Sequence, residues 1–489
     1  MIEFLETSRN NHNLACIVDD KAYQYHELYE IIISQFFALK KLGLSEGKKV
    51  LVEAEPTVDF ICSLFAIWEL GAIAIPFYPD SPDDYIAFLV DNGEASFLIE
   101  SSNSARFNLK VENCHRFLFN QIRTLDRSSF TVRNKRPADS ALIIYTSGTT
   151  GKPKGVVHTW KSLWNQIQIL LKAWEWKSHD KILHVLPLHH VHGLINALLC
   201  PLYANATIVF KNFQSIHLFN QIATYNISVF MAVPTIYKKI TDAYQLLSPD
   251  QKLAARKILQ DLRLFVSGSA ALSDTIFDFW QNEFQIQILE RYGMTEIGMA
   301  LSNPLHGNRL KGYVGIPLPG VHAILINESE QIIEDDDIPG ELHVKSDSSF
   351  LTYLGLEEET KKSFWKGWFK TGDVASKQNG YFKIWGRMSS DLIKSAGYKI
   401  SALEIEEHIK EFDNQIEVAI LALPDDVLGE KMIAVVEFKN HLKLAEIRSY
   451  LEKKLPKYKI PREFYFTDFL PRNPLGKIQK KQIQISSLF

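Results

Sequence analysis

Short apolar runs rich in β-branched residues alternate with amphipathic stretches along the first part of the chain. The runs have the length of buried strands, and the stretches between them repeat apolar residues with the period of a helix. This alternation predicts parallel sheets covered by helices. The predicted strands are "KVLVEA", "AIAIPF", "ASFLIES", "ALIIYTSG", "ILHVLP", "ATIVF", "ISVFMAVP" and "LRLFVSGSA", and the predicted helices include "TVDFICSLFAIWELG" and "SIHLFNQIATY".

The pattern changes after about Gly312. Shorter strands separated by turns, in "HAILIN", "GELHVKS" and "GYFKIWGR", predict a small antiparallel sheet or barrel. The polar segment "GRMSSDLIKSAGYKIS" predicts a linker, and "LEIEEHIKEF", "IEVAILAL", "KMIAVVEF" and "LAEIRSYLEKKL" predict a compact α+β unit beyond it. We therefore predict an α/β protein with a large domain over residues 1–386, a hinge over 387–391 and a mobile C-terminal α+β domain, the lid, over 392–489.

The composition is that of a globular protein with two or more domains. Of the 489 residues, 46% are hydrophobic and 23% are charged. The net charge of -3 gives no electrostatic reason to expect nucleic acid as a partner. The four cysteines lack the spacing of a zinc site or a disulfide framework, which favours a reducing, cytoplasmic setting.

The sequence contains no pattern typical of targeting or of a membrane span. The N-terminal segment "MIEFLETSRNNHN" has acidic residues and no apolar core, unlike a signal or transit peptide. The most apolar stretch, "FICSLFAIWELGAIAIPF", is interrupted by Glu69 and Gly71 and runs into Pro76. A buried helix followed by a strand explains this stretch better than a span does.

A loop suited to phosphate follows one of the predicted buried strands. The segment "YTSGTTGKPKG", Tyr145–Gly155, combines glycines, hydroxyls and lysines, whose backbone N–H groups and side chains can bind phosphate oxygens. Only two residues separate Gly148 from the pair Gly151 and Lys152, whereas a Walker loop needs four. This spacing argues against a Walker-type motor or switch, and a mobile surface loop is the alternative for the segment taken alone.

The loop and four later motifs together resemble the adenylate-forming superfamily, which includes acyl-CoA synthetases, luciferases and the adenylation domains of peptide synthetases. The later motifs follow in the family's order as "RYGMTE", "GWFKTGD", "GR…DLIKSAGYKISALEIE" and "PRNPLGKI", and the resemblance covers the chain from about residue 140 to its end. The resemblance implies two steps. An acid and ATP form an acyl-adenylate and pyrophosphate, and a thiol then attacks the adenylate.

The resemblance also assigns a nucleotide site. The loop would hold the β- and γ-phosphates, Thr295 would contact the α-phosphate in a catalytic role, and Glu296 would bind a catalytic Mg²⁺. Asp373 and Arg387 would bind the ribose. The residues expected around ATP are Thr146, Ser147, Gly148, Thr149, Thr150, Gly151, Lys152, Lys154, Gly268, Ser269, Ala270, Glu290, Arg291, Tyr292, Gly293, Asp373 and Arg387.

The lid would supply different residues to the two steps. The resemblance implies that Lys477 offsets the negative charge that develops as the acid attacks ATP. For the attack by the thiol of coenzyme A, Lys394 is a catalytic candidate, and Gly397, Tyr398 and Lys399 are candidates for binding coenzyme A after the lid rotates. The family usually has Asp or Lys at the hinge two residues after the arginine, but this chain has Ser389 there. The hinge residue is therefore Ser389, Ser390 or Asp391.

Other stretches resemble a narrower group, the malonyl-CoA and methylmalonyl-CoA synthetases, including the mitochondrial type. They include "LHVLPLHHVHGLINALLCPLYANATIVF" and "LERYGMTEIGMALSNPL". The charged remote carboxylate of such an acid needs a cation, and Arg309 lies where those synthetases carry an arginine. His190, Ser267 and Met299 are further candidates for the acid site. The neighbouring His189 and His192 do not have the ligand pattern of a metal site.

Two alternatives to a dicarboxylate–CoA ligase stay open, and a third is disfavoured. A ligase for a short-chain or aromatic monocarboxylate would not need Arg309. An enzyme that loads a carrier protein would need that partner in trans, since no carrier domain follows Lys477. A scaffold without activity is disfavoured, because Glu296, Asp373 and Arg387 are all present. Malonate and methylmalonate differ by one methyl group, a difference worth about 1–3 kcal/mol in a pocket.

Overall fold

The computed structural model describes most of the chain. The described residues are 2–102, 109, 111–124, 130–133, 136, 138–147, 153–388, 391–395, 398–413, 416–425, 428–437, 444–472 and 478–483. Among them, no helix is both long enough and apolar enough to cross a membrane.

Two large sheets carry the first part of the chain, and each is mainly parallel. The strands of the seven-stranded sheet, in spatial order, are β18 (Thr352–Tyr353), β8 (Pro153–Thr159), β7 (Ser140–Ser147), β4 (Ile73–Phe77), β3 (Lys49–Glu53), β5 (Ala95–Glu100) and β6 (His115–Leu118). Only β7–β8 and β8–β18 pair antiparallel.

The second large sheet has nine strands and includes the first strand of the chain. In spatial order they are β15 (Ile316–Pro317), β14 (Gly298–Ser302), β13 (Leu289–Met294), β12 (Leu264–Ser267), β11 (Val229–Ala232), β9 (Lys181–His184), β10 (Thr207–Phe210), β1 (Leu14–Val18) and β2 (Lys21–Gln24). The strands from β13 to β1 are parallel, and β1 pairs with β10 in the register Cys16 to Ile208.

The predicted helices of the first part of the chain pack on these sheets through their apolar faces. For example, all but one residue of Val58–Glu69 are buried, and the Thr57 hydroxyl caps this helix by accepting from the Phe60 amide. The helices are α1 (Ile2–Ser8), α2 (Tyr25–Lys41), α3 (Val58–Glu69), α4 (Asp83–Gly93), α5 (Trp160–Ala173), α6 (Cys200–Tyr203), α7 (Leu218–Tyr225), α8 (Pro234–Gln245), α9 (Pro249–Gln260), α10 (Asp274–Phe284), α11 (Glu357–Lys362), α12 (Ala402–Phe412) and α13 (Leu444–Lys454), with a π-helical turn at His192–Leu199 and 3₁₀ turns at Phe119–Gln121, Lys457–Lys459 and Lys480–Gln482.

A five-stranded antiparallel sheet follows, as the shorter strands predicted. Its strands are β16 (Val321–Ile326), β17 (Gly340–Ser346), β19 (Phe364–Trp365), β20 (Trp368–Gln378) and β21 (Tyr381–Arg387). The long strand β20 pairs with three neighbours, which brings Asp373 opposite Arg387. The predicted α/β fold with its small antiparallel sheet is confirmed.

The lid has a sheet and an apolar core of its own. Its strands are β22 (Leu392–Ser395), β23 (Tyr398–Ser401), β24 (Glu417–Asp425), β25 (Gly429–Glu437) and β26 (Glu463–Thr467). The linker predicted over residues 386–401 is wrong from Leu392 onwards, because β22 and β23 pair with each other there. Ile393 and Ile400 anchor this polar pair by burying their side chains in the core of the lid.

Candidate active site

The predicted phosphate loop lies between β7 and β8, two antiparallel neighbours. Thr146 and Ser147 end the apolar strand β7, and Thr146 pairs with Lys154 on β8. Glycine-rich loops that follow buried strands in this way commonly bind phosphate. Five of the predicted residues lie outside the described part of the chain, namely Gly148, Thr149, Thr150, Gly151 and Lys152.

Lys154 is held beside this loop by contacts from a later part of the chain. Its ammonium forms an ion pair with Glu359 on α11 and lies 5.4 Å from the centre of the Tyr353 ring. The Lys154 side chain is only 10% exposed. A positive charge is therefore fixed next to the loop, where the phosphates of a nucleotide would compete with Glu359 for it.

Thr295 and Glu296 occupy the turn between β13 and β14. The turn is tight, since a Cβ at Gly293 would stand 2.2 Å from the carbonyl oxygen of Gly298. Glu296 is buried, and its carboxylate accepts a hydrogen bond of 2.9 Å from the Tyr353 hydroxyl. Burial raises the pKa of Glu296, so a cation bound to this carboxylate would offset the cost of its charge.

Asp373 and Arg387 meet across β20 and β21, as the ribose site requires. The Arg387 Nε atom lies 2.9 Å from one carboxylate oxygen of Asp373, and the Tyr292 hydroxyl donates to the other at 2.5 Å. Burial alone would lower the pKa of Arg387, but the charges of Asp373, Tyr292, Glu296 and Asp391 together outweigh it and the pKa is raised. Arg387 and Tyr292 hold the Asp373 carboxylate in a fixed orientation for accepting hydrogen bonds from hydroxyl groups.

Arg291 on β13 places a buried guanidinium next to Gly268, just after the end of β12, and no ion pair to it is found among the described residues. Arg291 is 4% exposed, and within the described residues its Nε and Nη2 atoms have no hydrogen-bond partner. Burial lowers the pKa of Arg291 to about 9, which leaves the group charged at neutral pH. An unpaired buried charge costs several kcal/mol, so the site favours an anionic ligand.

Arg291 and three residues around it, Ser267, Gly268 and His192, form what we call the acid pocket. Gly268 makes room for the guanidinium, because a Cβ there would stand 2.4 Å from the Cζ atom of Arg291. The Ser267 hydroxyl and the Nε2 atom of His192 are buried and have no partner among the described residues. Burial and, to a smaller extent, the charge of Arg291 lower the pKa of His192, so the pocket combines one cation with neutral hydrogen-bonding groups.

The neighbouring Glu290 does not neutralise this cation. Burial raises its pKa to about 8, so the carboxyl group is mostly protonated at pH 7. One of its oxygens accepts from the Leu272 amide at 3.3 Å. Ser269 and Ala270, two of the residues expected around ATP, are exposed directly after Gly268.

His190 and its neighbour His189 are partly buried imidazoles near the acid pocket. The His190 ring centre lies 4.0 Å from that of His189, and burial lowers the pKa of His190 to about 4. Both rings are therefore neutral at pH 7, since the pKa of His189 falls to about 3 for the same main reason. Met299 is buried, and its amide donates to the Gln166 side chain at 2.6 Å. Among the described residues, no group of three or more His, Cys, Asp or Glu side chains could hold a metal ion.

Arg309 makes contacts unlike those of Arg291. Its Nε atom donates to the carbonyl of Pro304 at 3.2 Å, Nη2 donates to Leu305 at 2.8 Å, and Nη1 donates to the carbonyl of Gln287. These bonds join the loop after β14 to the segment before β13. The predicted role of Arg309 in binding the acid stays a prediction, and its contacts are those of a side chain that holds a loop in place.

The candidates in the lid are only partly described. Lys394 lies exposed on β22, where its amide donates to Glu430 at 2.6 Å and its ammonium lies 3.5 Å from Glu328. Of the three candidate hinge residues, Asp391 is described and buried. Outside the description are Ser389, Ser390, Gly397, Lys477 and the side chains of Tyr398 and Lys399.

Three residues that the sequence analysis did not identify support the site. Tyr353 donates to Glu296, Glu359 pairs with Lys154, and Gln166 accepts from a backbone amide on β14. The two partners of each contact are between 57 and 205 positions apart in sequence. None of the three belongs to a local motif, so only the tertiary structure identifies them.

Two family models match the chain, and they match its two parts. A model described as AMP-binding enzyme matches residues 4–354, and one described as AMP-binding enzyme C-terminal domain matches residues 404–477. The chain belongs to the AMP-binding enzyme family. The resemblance to adenylate-forming enzymes in its motifs is thereby confirmed.

Within that family, several relatives are named for one substrate. The chain is 36% identical to the malonate–CoA ligase of Arabidopsis thaliana, over 99% of this chain and 88% of the relative. It is 37% identical to the human mitochondrial malonate–CoA ligase ACSF3, over 88% of this chain and 82% of the relative. The crystal structure of ATP-bound MatB from Rhodopseudomonas palustris matches with a TM-score of 0.88 and 27% identity, over 98% of this chain and 97% of MatB. Because the human relative is named mitochondrial, the cytoplasmic location stays a prediction.

Proposed function

We propose that this enzyme joins malonate, or a closely related small dicarboxylic acid, to coenzyme A at the expense of ATP, with AMP and pyrophosphate as the other products. The observation that carries the proposal is the unpaired guanidinium of Arg291 in the acid pocket. A monocarboxylate would leave that charge without a partner, whereas the remote carboxylate of malonate would pair with it. The malonate–CoA ligases among the relatives support the same substrate.

The first step forms the acyl-adenylate. A carboxylate oxygen of the acid attacks the α-phosphorus of ATP, the bond to the bridging oxygen breaks, and pyrophosphate leaves. Lys154 and the loop before it would hold the leaving phosphates, and Asp373 would orient the ribose. Ser267 and Arg291 would orient the acid, so that its reacting carboxylate faces the nucleotide.

Glu296 would hold Mg²⁺ in this step. Its buried carboxylate is a hard oxygen ligand, and Mg²⁺ in nucleotide enzymes is commonly bound by one or two carboxylates together with substrate phosphates. The ion supplies charge neutralisation on the phosphate oxygens. Tyr353, which donates to one oxygen of Glu296, would keep this carboxylate in place.

The second step transfers the acyl group to the thiol. The sulfur of coenzyme A attacks the acyl carbon, the carbon–oxygen bond to AMP breaks, and the thiol proton is released. We propose that residues 387–391 act as the hinge that exchanges Lys477 for the face of the lid bearing Lys394, Tyr398 and Lys399. A carrier-protein thiol in place of coenzyme A is the alternative acceptor.

The test measures pyrophosphate release from ATP with malonate, methylmalonate, succinate, acetate, octanoate and benzoate, each with and without coenzyme A. We expect turnover that depends on coenzyme A and is strongest with malonate or methylmalonate. In Arg291→Met, the malonate KM should rise about 100-fold, the usual effect of removing one member of a buried charged pair, with the ATP KM little changed. Arg256→Met, which breaks an exposed pair with Glu283, is the matched control.

The possible results separate the parts of the proposal. Strong turnover with a monocarboxylate would keep the ligase chemistry and reject the dicarboxylate. ADP instead of AMP as product would reject the mechanism. Equal rises in the malonate and ATP KM values of Arg291→Met would remove Arg291 from the acid site.

A further inference from the structure

A buried lysine near the end of the chain contacts two acidic residues from separate segments. The Lys480 ammonium lies 2.6 Å from a carboxylate oxygen of Asp391 and 2.7 Å from one of Glu406. The side chains of Lys480, Asp391 and Glu406 are 12%, 9% and 12% exposed. We call these three residues the lysine clasp.

The clasp fastens the segment on which Lys477 lies. Lys480 begins a short 3₁₀ turn three positions after Lys477 in the sequence. The described residues on either side of positions 473–477 pair with one another, through a β-bridge between Arg472 and Ile478. Since Lys477 adjoins Ile478, the placement of Lys480 also constrains the base of the segment that carries the predicted adenylation lysine.

The other end of the clasp lies in the predicted hinge. The second carboxylate oxygen of Asp391 accepts from the Arg387 amide at 3.1 Å, and the Asp391 amide donates back to the Arg387 carbonyl at 2.8 Å. The Arg387 side chain in turn pairs with Asp373 at 2.9 Å. Continuous contacts therefore run from the nucleotide site, through the hinge, to Lys480.

The third member anchors the clasp to the body of the lid. Glu406 lies on α12, and the oxygen that contacts Lys480 also accepts from the Ile420 amide on β24 at 2.7 Å. Burial alone would lower the pKa of Lys480, but the charges of Glu406 and Asp391 outweigh it and raise the pKa. The ammonium therefore keeps its charge at neutral pH, and two carboxylates hold it in place.

We propose that Lys480 is a positioning residue for adenylate formation, which places Lys477 by tying its segment to Asp391 of the hinge. This inference rests on the proposed function, because it assigns Lys477 to the first of the two steps. The Lys480 ammonium pairs with Asp391 and Glu406, so its proposed effect on the reaction is indirect. The contact between Lys480 and Asp391 acts by fixing the position of the chain. We therefore expect that losing this contact displaces Lys477 by a small distance.

The experiment compares the two half-reactions of Lys480→Met. Adenylate formation is followed by exchange of labelled pyrophosphate into ATP with malonate, and thioester formation is followed from synthetic malonyl-adenylate and coenzyme A. We expect kcat for adenylate formation to fall about 100-fold, the cost of misplacing a catalytic group by about 1 Å, with the ATP and malonate KM values little changed. Thioester formation should stay near the wild-type rate.

Two further variants distinguish positioning from stability. Lys480→Arg should recover most of the adenylation rate, because a guanidinium can also donate to both carboxylates. In the same domain, the Lys431 ammonium lies 2.8 Å from a carboxylate oxygen of Glu463. Lys431→Met removes this pair and should leave both half-reactions unchanged. If Lys480→Met does not fold, Asp391→Asn opens the hinge end of the clasp and is judged by the same two rates.

Each result has one meaning. Equal loss of both half-reactions in a folded Lys480→Met protein, or no loss of adenylation, would overturn the role of Lys480 while the proposed function stands. If the wild-type enzyme forms no adenylate from malonate or from any other acid of the panel, it is the proposed function that fails.

Discussion

Two arginines illustrate how the surroundings of a residue decide its role. Arg291 and Arg309 are both buried enough that burial lowers their pKa values. Arg309 uses three of its N–H groups on backbone carbonyls, whereas Arg291 has none for Nε and Nη2 among the described residues. The first arrangement stabilises a loop, and the second suits an anionic ligand.

This difference predicts a stability effect at Arg309. Arg309→Met should lower the free energy of unfolding by about 1–3 kcal/mol, because it leaves three partly buried carbonyls without their donors. The malonate KM should change little. Chemical denaturation and steady-state kinetics measure the two effects, and Lys361→Met, which breaks an exposed pair with Glu358, serves as the control. A rise in the malonate KM well above that in the ATP KM would return Arg309 to the acid site.

Motifs supplied most of the candidate site residues but not their partners. The motif "RYGMTE" predicted that Arg291 lies close to ATP. It did not predict that two nitrogen atoms of Arg291 are buried without a hydrogen-bond partner among the described residues, beside Ser267 and His192 from distant segments. The same holds for Tyr353, whose hydroxyl reaches Glu296 across 57 positions of sequence. Motifs record which residues occur together in order, whereas unsatisfied buried groups are a property of the packed chain.

At the scale of elements, regular apolar periodicity was sufficient to predict buried strands and helices, whereas short polar strands lack this pattern and were not predicted. The buried strands of both large sheets and the helix α12 follow their predicted runs. The pair β22–β23 falls within the predicted linker. Among its described side chains, the deeply buried apolar ones are Ile393 and Ile400, and one such residue in each short strand gives no period. Its pairing depends on the lid core beneath it.

The contact between α10 and α12 should depend on pH. The Glu407 carboxylate of α12 accepts from the Asp274 amide at the start of α10 at 2.9 Å. The pKa of Glu407 is raised from 4.5 to about 6, mainly by burial and also by the charges of Asp274 and Glu411, while the hydrogen bond from the Asp274 amide and the charge of Lys410 oppose the rise. The contact is therefore most stable below pH 4.5 and weakens as the pH rises through about 6, by about 2 kcal/mol in total.

Energy transfer between dyes on α10 and α13 would follow this contact from pH 7 to pH 5. We expect the population with the lid in contact to grow as the pH falls. Glu407→Gln should remove the pH dependence, while Glu446→Gln, in the same domain, should retain it. An unchanged pH response in Glu407→Gln would assign the effect to another group.

At the scale of the whole molecule, the two-step mechanism predicts that one lysine serves one step only. Lys477→Ala should abolish adenylate formation, because the positive charge opposite the α-phosphate is lost. Thioester formation from supplied malonyl-adenylate should continue near the wild-type rate. Lys394→Ala is the reciprocal variant and should impair mainly the second step. Equal loss of both steps in Lys477→Ala would contradict a lid with two working positions.

The order of the parts along the chain was evident from the sequence, but the joint between them was not. Three neighbouring residues fitted the hinge equally well by their spacing. Of the three, the structure describes Asp391, a buried residue that contacts Arg387, the Ala402 amide and, through Lys480, Glu406. Ser389 and Ser390 lie outside the described residues, so the identity of the hinge residue stays a prediction.

The pairing of β1 with β10 has a consequence for how the protein is made. The carbonyl of Leu14 receives its hydrogen bond from the Thr207 hydroxyl, 193 positions later. At roughly 5–20 residues per second, a ribosome needs about 10–40 s to synthesise that interval. During this time the nascent first strand has β2 on one side but lacks its parallel neighbour β10 on the other, and apolar side chains such as Ile17 are exposed. Slower or interrupted translation would lengthen this period, so the yield of native enzyme should depend on chaperones that bind the newly made N-terminal segment.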